Sequence, residues 1–302
     1  MEQRRPILTL KTGTFFLSPA IFFVILFLIV PFVWIIVVSF TNQSLTGATA
    51  LNPEFVGLQN YLDLFNFDTW LTRGNFGSSM IITLEFVIGS AWIGQVVLGM
   101  GLAIAFYRRK GALREFVNTL VILCWIIPDV VVAFSWSAYL DRDYGTLNAI
   151  LNLIGLGRPD WQLAFPLFAI ILFNSWRGAA FSMLLFSSAL ATIPPSYLET
   201  AEVAGASFWQ KQRDIILPLL RGHILTDMVL ITLWTFNTFS PFLLTGGGPA
   251  FKTEVISIFT YRIAFKFFDF GMGGAIAVVA MVINFALALV YLLMLRKQAV
   301  YS

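Results

Sequence analysis

Ionisable side chains within apolar stretches are the residues of this sequence most able to do chemistry. A charge in such surroundings is costly, and it usually faces a polar path or pairs with an opposite charge. Asp129 and Arg177 are the better candidates for residues that line a polar path through the apolar stretches, because polar and aromatic residues accompany them in the sequence. The alternative is a mutual ion pair that only stabilises the fold. Glu85 and Asp227 lie nearer the ends of their stretches, and we predict structural roles for them.

Enzymatic chemistry finds little support in the sequence. The single cysteine, Cys124, and the single histidine, His223, exclude a disulfide framework, a Cys/His zinc cage and an HExxH motif. No glycine directly precedes a lysine, so the G-x-x-x-x-G-K-[ST] loop that binds ATP phosphates is missing. We therefore predict no catalytic residues, no metal site and no cofactor bound by this chain.

Composition indicates that most of the chain lies in lipid. Apolar residues make up 58% of the sequence and charged residues 12%, about half the charged share of a soluble protein. A bilayer core needs about 20 apolar helical residues to cross it. Six stretches of that length predict an all-α membrane protein, at 15–40, 79–107, 116–140, 163–190, 224–245 and 271–295.

The distribution of Lys and Arg predicts the orientation. Twelve of these residues fall in segments that would share the side of the N-terminus, and six fall in segments on the other side. Short loops rich in Lys and Arg stay in the cytoplasm. We therefore expect cytoplasmic tails at 1–14 and 296–302, which flank a membrane domain at 15–295. Anionic lipid accounts for the net charge of +3 without nucleic acid.

A helix-turn-helix is predicted on the cytoplasmic side, within residues 191–223. Pro194 and Pro195 would end the fourth span, and a helix would then run to Gly205. A second helix would cover 207–217 and end before Pro218. An interfacial amphipathic hairpin without a partner is the alternative.

Two external segments also carry interpretable strings. The aromatic string 55–61 within the loop 41–78 suits a packed surface loop, or else contact with an external partner. Glycines 246–248 and Pro249 prevent a helix from continuing out of the fifth span, and 251–268 suits an interfacial helix.

The hairpin sequence resembles a known motif. Residues 199–206 read ETAEVAGA, and 215–218 read IILP. This pattern is similar to the EAA loop in membrane subunits of binding-protein-dependent ABC importers. Thr200 stands where that family usually has Ala, and Ala204 where Asp is usual. Four further strings resemble the carbohydrate-uptake branch, which includes the maltose and glycerol-3-phosphate permeases: 55–61, 145–148, 245–249 and 271–277.

The resemblance implies a six-span type I ABC importer permease with a cytoplasmic EAA coupling helix. It implies alternating access for a sugar, glycoside, polyol or glycerol phosphate across the cytoplasmic membrane of a prokaryote. The implied partners are a second permease, two ATPase subunits that bind ATP and Mg, and an external substrate-binding protein. The residues that would couple to the ATPase are Glu199, Thr200, Ala201, Gly205, Ala206, Ile215, Leu217 and Pro218.

A sugar path would combine hydrogen-bonding side chains with aromatic planes. The predicted path residues on the third, fourth and fifth spans are Asp129, Trp136, Tyr139, Asn174, Trp176, Arg177, Trp234 and Asn237. The competing hypothesis is an ion-coupled secondary transporter in which Glu85 and Asp129 relay the ion. Such a carrier has no need of an ATPase-docking hairpin, and inverted halves are not visible in the sequence.

Overall fold

The computed structural model describes residues 10–300 of the chain, with the side chains of residues 13–294. This part of the chain is helical, and its only β-structure is two isolated bridges, Thr41 with Phe55 and Ser44 with Asp269. Arg4 and Arg5 of the predicted basic tail lie outside the described residues. The α-helices are Leu10–Val24, Val30–Val38, Ala48–Leu51, Gln59–Leu64, Phe76–Phe86, Val96–Phe106, Ala112–Ile126, Asp129–Tyr139, Thr146–Leu153, Trp161–Ala164, Pro166–Ala191, Pro195–Val203, Phe208–Lys211, Leu217–Asn237, Pro241–Thr245, Ile256–Tyr261 and Phe270–Val300.

Wider π-helical turns join several of these helices without a break, at Ile25–Ile29, Val87–Gln95 and Gln212–Ile216, and a fourth, Arg262–Lys266, extends Ile256–Tyr261. Five continuous helices are consequently long and apolar enough to cross a membrane: Gly13–Val38, Phe76–Phe106, Pro166–Ala191, Phe208–Asn237 and Phe270–Met294. The predicted first, second, fourth and sixth spans agree with them to within three residues at each end.

The third predicted span, 116–140, is wrong as a single straight helix. The structure has two helices, Ala112–Ile126 and Asp129–Tyr139, bent by 107° at the break between them. Pro128 is the cause, because the residue before a proline is pushed out of the α region. Ile127 and Pro128 accordingly have ψ angles of 133° and 140°. A sixth span exists only if this bent pair is counted as one.

The fifth predicted span, 224–245, is displaced. The structure runs one helix from Phe208 to Asn237, so the predicted separate helix 207–217 is part of the span. Pro218 does not end it, because the proline follows the wide turn Gln212–Ile216 and stands in the first turn of the next α-helical stretch. A proline there needs no amide hydrogen bond. The helix ends instead at Asn237.

The described chain divides into two compact units. One comprises residues up to Asn66 together with Thr260–Ala280. Its string 55–61 packs against the end of the first span, where the Asn60 amide donates to the carbonyl oxygens of Ser39 and Thr41 at 2.8 and 2.9 Å. Gly271 lies so close to Thr41 that a Cβ atom on residue 271 would be 2.1 Å from the Thr41 carbonyl oxygen. The packed-loop interpretation holds for Asn60, while Phe55 is exposed.

The second unit contains residues 67–259 and the rest of the last helix. Its second and fourth spans meet along three glycines, five residues apart. A Cβ on Gly94 would lie 1.8 Å from Ser175 Oγ, and one on Gly99 would lie 2.5 Å from Ser182 Cβ. Gly89 faces Ile171 in the same way. Because glycine has no side chain, the backbones of the second and fourth spans can approach each other closely at these three positions.

The strings 145–148 and 245–249 organise loops of the same unit. Asn148 is buried, donates to the carbonyl oxygen of Pro159 at 2.9 Å and accepts from the indole of Trp161 at 2.9 Å. Thr245 and Thr253 join their hydroxyls at 2.7 Å across the glycine turn. Ile256–Tyr261 and the following turn Arg262–Lys266 form the only helical part of the predicted 251–268 helix.

Candidate functional site

Asp129 and Arg177 form an ion pair in the structure. Arg177 Nη2 contacts one carboxylate oxygen of Asp129, and the Ser240 hydroxyl donates to the other. We call these three residues the polar cluster. Both oxygens of the carboxylate are thereby engaged, and the charge of Arg177 is neutralised within the apolar bundle.

Local structure explains how the polar cluster assembles. Pro128 begins the helix Asp129–Tyr139, so Asp129 occupies its first turn, where the helix dipole favours a carboxylate. Arg177 lies near the middle of the 26-residue helix Pro166–Ala191. Ser240 follows the end of the fifth span and precedes Pro241, which starts the next short helix. The bend at Pro128 and the end of the fifth span therefore bring Asp129 and Ser240 to Arg177, near the middle of the fourth span.

Three predicted aromatic residues contact one another on the same two helices that carry Asp129 and Arg177. The rings of Trp136 and Tyr139 are 5.6 Å apart, and those of Trp136 and Trp176 are 5.8 Å apart, all in edge-on arrangements. Trp136 and Tyr139 are three residues apart and so share one helix face. Tyr139 and Trp176 remain more than a third exposed. We call these three the aromatic cluster, and both clusters together the midspan site.

Two further predicted residues border the midspan site through a narrow cavity. Asn174 and Trp234 line it together with Arg177, and its volume is about 30 Å³. That volume suits a single water molecule and not a sugar. Asn174 donates to the Ser90 hydroxyl at 2.9 Å. A solute larger than water could contact the exposed rings of Tyr139 and Trp176. It could enter the cavity only if the spans around the cavity moved apart.

Asn237 does not line that cavity. Its amide exchanges two hydrogen bonds with the amide of Asn284 on the last span, at 2.9 and 3.1 Å. It therefore ties the end of the fifth span to the last one. The structure thus connects four of the eight predicted path residues through the ion pair and the narrow cavity: Asp129, Asn174, Arg177 and Trp234. Ring contacts connect three others, Trp136, Tyr139 and Trp176, and Asn237 lies in a separate pair.

Sequence reasoning missed several members of the site. Ser240 is one, and Gln95, whose amide donates to the Thr235 hydroxyl at 3.2 Å, is another. Both were detectable, since Gln95 interrupts an apolar stretch and Ser240 stands directly before a proline.

The other two charges in the spans have different surroundings. Asp227 is fully buried and accepts a hydrogen bond from Ser182 Oγ at 3.1 Å, which agrees with the structural role predicted for it. Glu85 is exposed and lines a cavity of about 720 Å³ together with Arg73 and Lys252. Asp129 does not line the cavity that contains Glu85.

The hairpin (residues 195–217) contains the string that resembles the EAA loop. Its first helix is Pro195–Val203. Gly205 has φ +77°, and two hydrogen bonds close the turn, from Gly205 N to Glu202 O at 3.0 Å and from Ala206 N to Ala201 O at 2.9 Å. This is the Schellman pattern, which requires a left-handed residue that glycine supplies without strain. Ser207 then caps the next helix.

Charges inside the chain stabilise the hairpin where the usual Asp at position 204 is absent. Glu202 Oε1 lies 3.1 Å from Arg108 Nη1 and 2.9 Å from Lys211 Nζ. The hydrogen bond and attraction from Lys211, with attraction from Arg108, hold the pKa of Glu202 below its usual value of 4.5. Glu199 lies 4.0 Å from Arg108 and is 62% exposed. Glu202 is therefore an internal contact, while Glu199 is available to another molecule.

The hairpin has one buried face and one exposed face. Leu198 and Ile216 are buried in a core that includes Phe186 and Leu190. The residues of the predicted coupling set, Glu199, Thr200, Ala201, Gly205, Ala206, Ile215, Leu217 and Pro218, all lie on the hairpin or at the start of the following helix, and only Ala201, Ala206 and Ile215 are half-buried. Val203 and Trp209 are 91% and 77% exposed. This apolar surface is available to a partner.

Comparison with known proteins identifies the family. Residues 95–299 match the model of the binding-protein-dependent transport system inner membrane component. The chain belongs to this family. It is therefore a membrane-embedded permease component of a binding-protein-dependent ABC importer, which is a transport subunit and not an enzyme.

Individual relatives extend the match over the whole chain. The trehalose/maltose transport system permease protein MalF of Thermococcus litoralis is 30% identical over 93% of this chain and 92% of its own length. The sulfoquinovosyl glycerol transport system permease protein SmoG of Agrobacterium fabrum is 29% identical, over 93% and 89%. A bacterial alginate ABC transporter, solved with an alginate pentasaccharide-bound periplasmic protein, contains a chain with a TM-score of 0.78 at 23% identity, covering 95% and 94%. That likeness shows the type I permease fold.

Proposed function

We propose that this permease moves a carbohydrate or a closely related glycoside across the cytoplasmic membrane by alternating access. The midspan site carries the proposal. The two helices that carry the ion pair also carry edge-on tryptophan and tyrosine rings, a combination suited to the hydroxyls and the C–H faces of a sugar. The names of the relatives, which include trehalose/maltose and sulfoquinovosyl glycerol, support the same class.

A reconstituted complex tests this path. The measurement is ATP-dependent uptake of labelled sugars into proteoliposomes, with the binding protein added outside. Trp136→Ala should reduce uptake while complex yield stays the same, since Trp136 contacts both other rings of the aromatic cluster. Phe22→Ala is the matched control, because Phe22 is 58% exposed on the first span and outside the midspan site. Equal uptake by the two variants would reject the path.

We further propose that the hairpin is the coupling helix for a cytoplasmic ATPase. The complete importer would then contain a second permease that forms a heterodimer with this chain. It would also contain two ATPase subunits that bind ATP and Mg, and an external binding protein. Both termini, including the tails 1–14 and 296–302, would lie in the cytoplasm. The exposed apolar residues of the hairpin and the exposed side chain of Glu199 support this role, because a rigid hairpin continuous with a span can transmit rigid-body motion.

Co-purification tests the docking surface. Val203→Glu should lower the amount of ATPase subunit recovered with the permease, since Val203 is 91% exposed and a charge there would oppose an apolar contact without disturbing this chain. Leu153→Glu is the control, because Leu153 is 86% exposed on the opposite, external side in the proposed topology. Full recovery of the ATPase with Val203→Glu would contradict docking through this face.

A further inference from the structure

We infer that the solute carried past the polar cluster is uncharged, an inference that rests on the proposed carbohydrate transport. Similarity leaves the charge of the solute open, because one relative is named for trehalose/maltose and a structural neighbour imports an acidic polysaccharide. The contacts of Asp129 and Arg177 supply the missing information.

Arg177 is the only cation among the residues that border the narrow cavity, and this chain has already neutralised it. Its Nη2 contacts Asp129, whose second oxygen accepts from Ser240. A sugar carboxylate, sulfonate or phosphate needs a guanidinium or ammonium that is free to pair with it. Arg177 Nε is buried without a hydrogen-bond partner, but an anion bound there would place a second negative charge beside Asp129, with only one guanidinium to balance both.

The more exposed end of the pair is the negative one. The side chain of Asp129 is 41% exposed, whereas that of Arg177 is 18% exposed. A solute that reaches the pair therefore meets the carboxylate first. Hydroxyl groups can donate hydrogen bonds to that carboxylate, while an anionic group would be repelled by it.

The rest of the midspan site adds no compensating positive charge. Its rings are tryptophan and tyrosine, and Asn174 and Gln95 contribute amides. Glu85 and Asp227 lie outside the cavity and are acidic. The described surface therefore offers a net neutral path that favours hydroxyls.

Uptake of matched sugars tests the inference on the unaltered protein. Proteoliposomes containing the complete importer and its binding protein are given glycosides in pairs, each neutral sugar with its uronate counterpart, and ATP-dependent accumulation is measured. The expected result is accumulation of neutral members only. Accumulation of a uronate at a comparable rate would overturn the inference and leave carbohydrate transport intact. If no sugar of either kind accumulates, the proposed function fails and the inference fails with it.

A double-mutant cycle tests the pair itself with the neutral sugar that is transported. Asp129→Asn leaves an uncompensated cation and Arg177→Gln an uncompensated anion, so each should reduce uptake by about tenfold or more. The double variant restores neutrality and should recover uptake above both single variants. Complex yield and basal ATPase activity serve as controls for folding. A double variant no better than the poorer single variant would show that neutrality is not what the pair provides, and would overturn the inference.

Discussion

The midspan site and the hairpin both contain acidic and basic side chains in contact, yet they depend on these contacts in different ways. In the midspan site one ion pair and one hydroxyl neutralise charge within an apolar bundle. In the hairpin Glu202 has two basic partners and lies outside the helices that are long enough to cross a membrane. A charge lost from the first region leaves its partner in apolar surroundings, whereas water can replace a partner in the second.

This difference indicates where each region obtains its stability. The hairpin depends on buried leucine and isoleucine and on a glycine turn, so its ion pairs orient the helices more than they stabilise them. The midspan site depends on close backbone packing between the second and fourth spans, which places Gln95 and Asn174 near Arg177. Substitutions in the two regions should therefore distinguish the contribution of packing to stability from the contribution of charge.

The largest effect is expected at Leu198. Leu198→Ala should destabilise the purified permease by about 2–5 kcal/mol, because it opens a cavity in the core beneath the hairpin. Thermal unfolding in detergent measures the change. Val203→Ala, on the exposed face of the same helix, should leave the unfolding temperature nearly unchanged. Equal shifts in the two variants would mean that the hairpin does not depend on its buried face.

Gly94 tests the close packing behind the midspan site. Gly94→Ala should cost about 1–3 kcal/mol of stability, since its Cβ would lie 2.4 Å from Ser175 Cβ and the two backbones would have to separate. Gly101→Ala is the control on the same helix, because a Cβ there meets nothing within 4 Å. The comparison uses thermal unfolding in detergent, and a Gly94 variant as stable as the Gly101 variant would refute close packing.

The turn of the hairpin should show an intermediate effect with a purely conformational cause. Gly205 has φ +77° and open space around its Cβ position. Gly205→Ala should therefore cost about 1–2 kcal/mol through backbone strain alone. Hydrogen exchange of the amides on either side of the turn measures local opening. Gly205→Asn should lose less protection, because asparagine tolerates the left-handed region better than alanine.

The smallest effect is expected for Glu202, and it should depend on pH. Its lowered pKa means that its ion pairs contribute fully above the usual carboxyl pKa of 4.5, and that the contribution is lost as pH falls through the lowered value. Hydrogen exchange in the hairpin, corrected for intrinsic rates, should be insensitive to pH near neutrality and increase in acid. Glu202→Gln should remove the acid dependence. An identical acid response in the variant would assign it to another group.

The positions of the four straight predicted spans needed only the sequence, because crossing a bilayer requires about 20 apolar residues whatever their neighbours are. Local chemistry also predicted the turn at Gly205, since Gly and Ala follow an amphipathic helix there. The two wrong boundaries have a different origin. Both involve a proline, and hydropathy does not report whether a proline bends a span, as Pro128 does, or is accommodated after a π-helical turn, as Pro218 is.

The sequence by itself determined the class of the protein and the chemical types available in its spans, which are few charges and many aromatic rings. It also contained a hairpin string that resembles the EAA loop. Tertiary structure alone decided which of those charges meet. Asp129, Arg177 and Ser240 are far apart along the chain, and only the bend at Pro128, the end of the helix at Asn237 and the glycine packing of the second and fourth spans bring them together. Composition specifies how a segment partitions into lipid, whereas the pairing of charges depends on how the segments pack against one another.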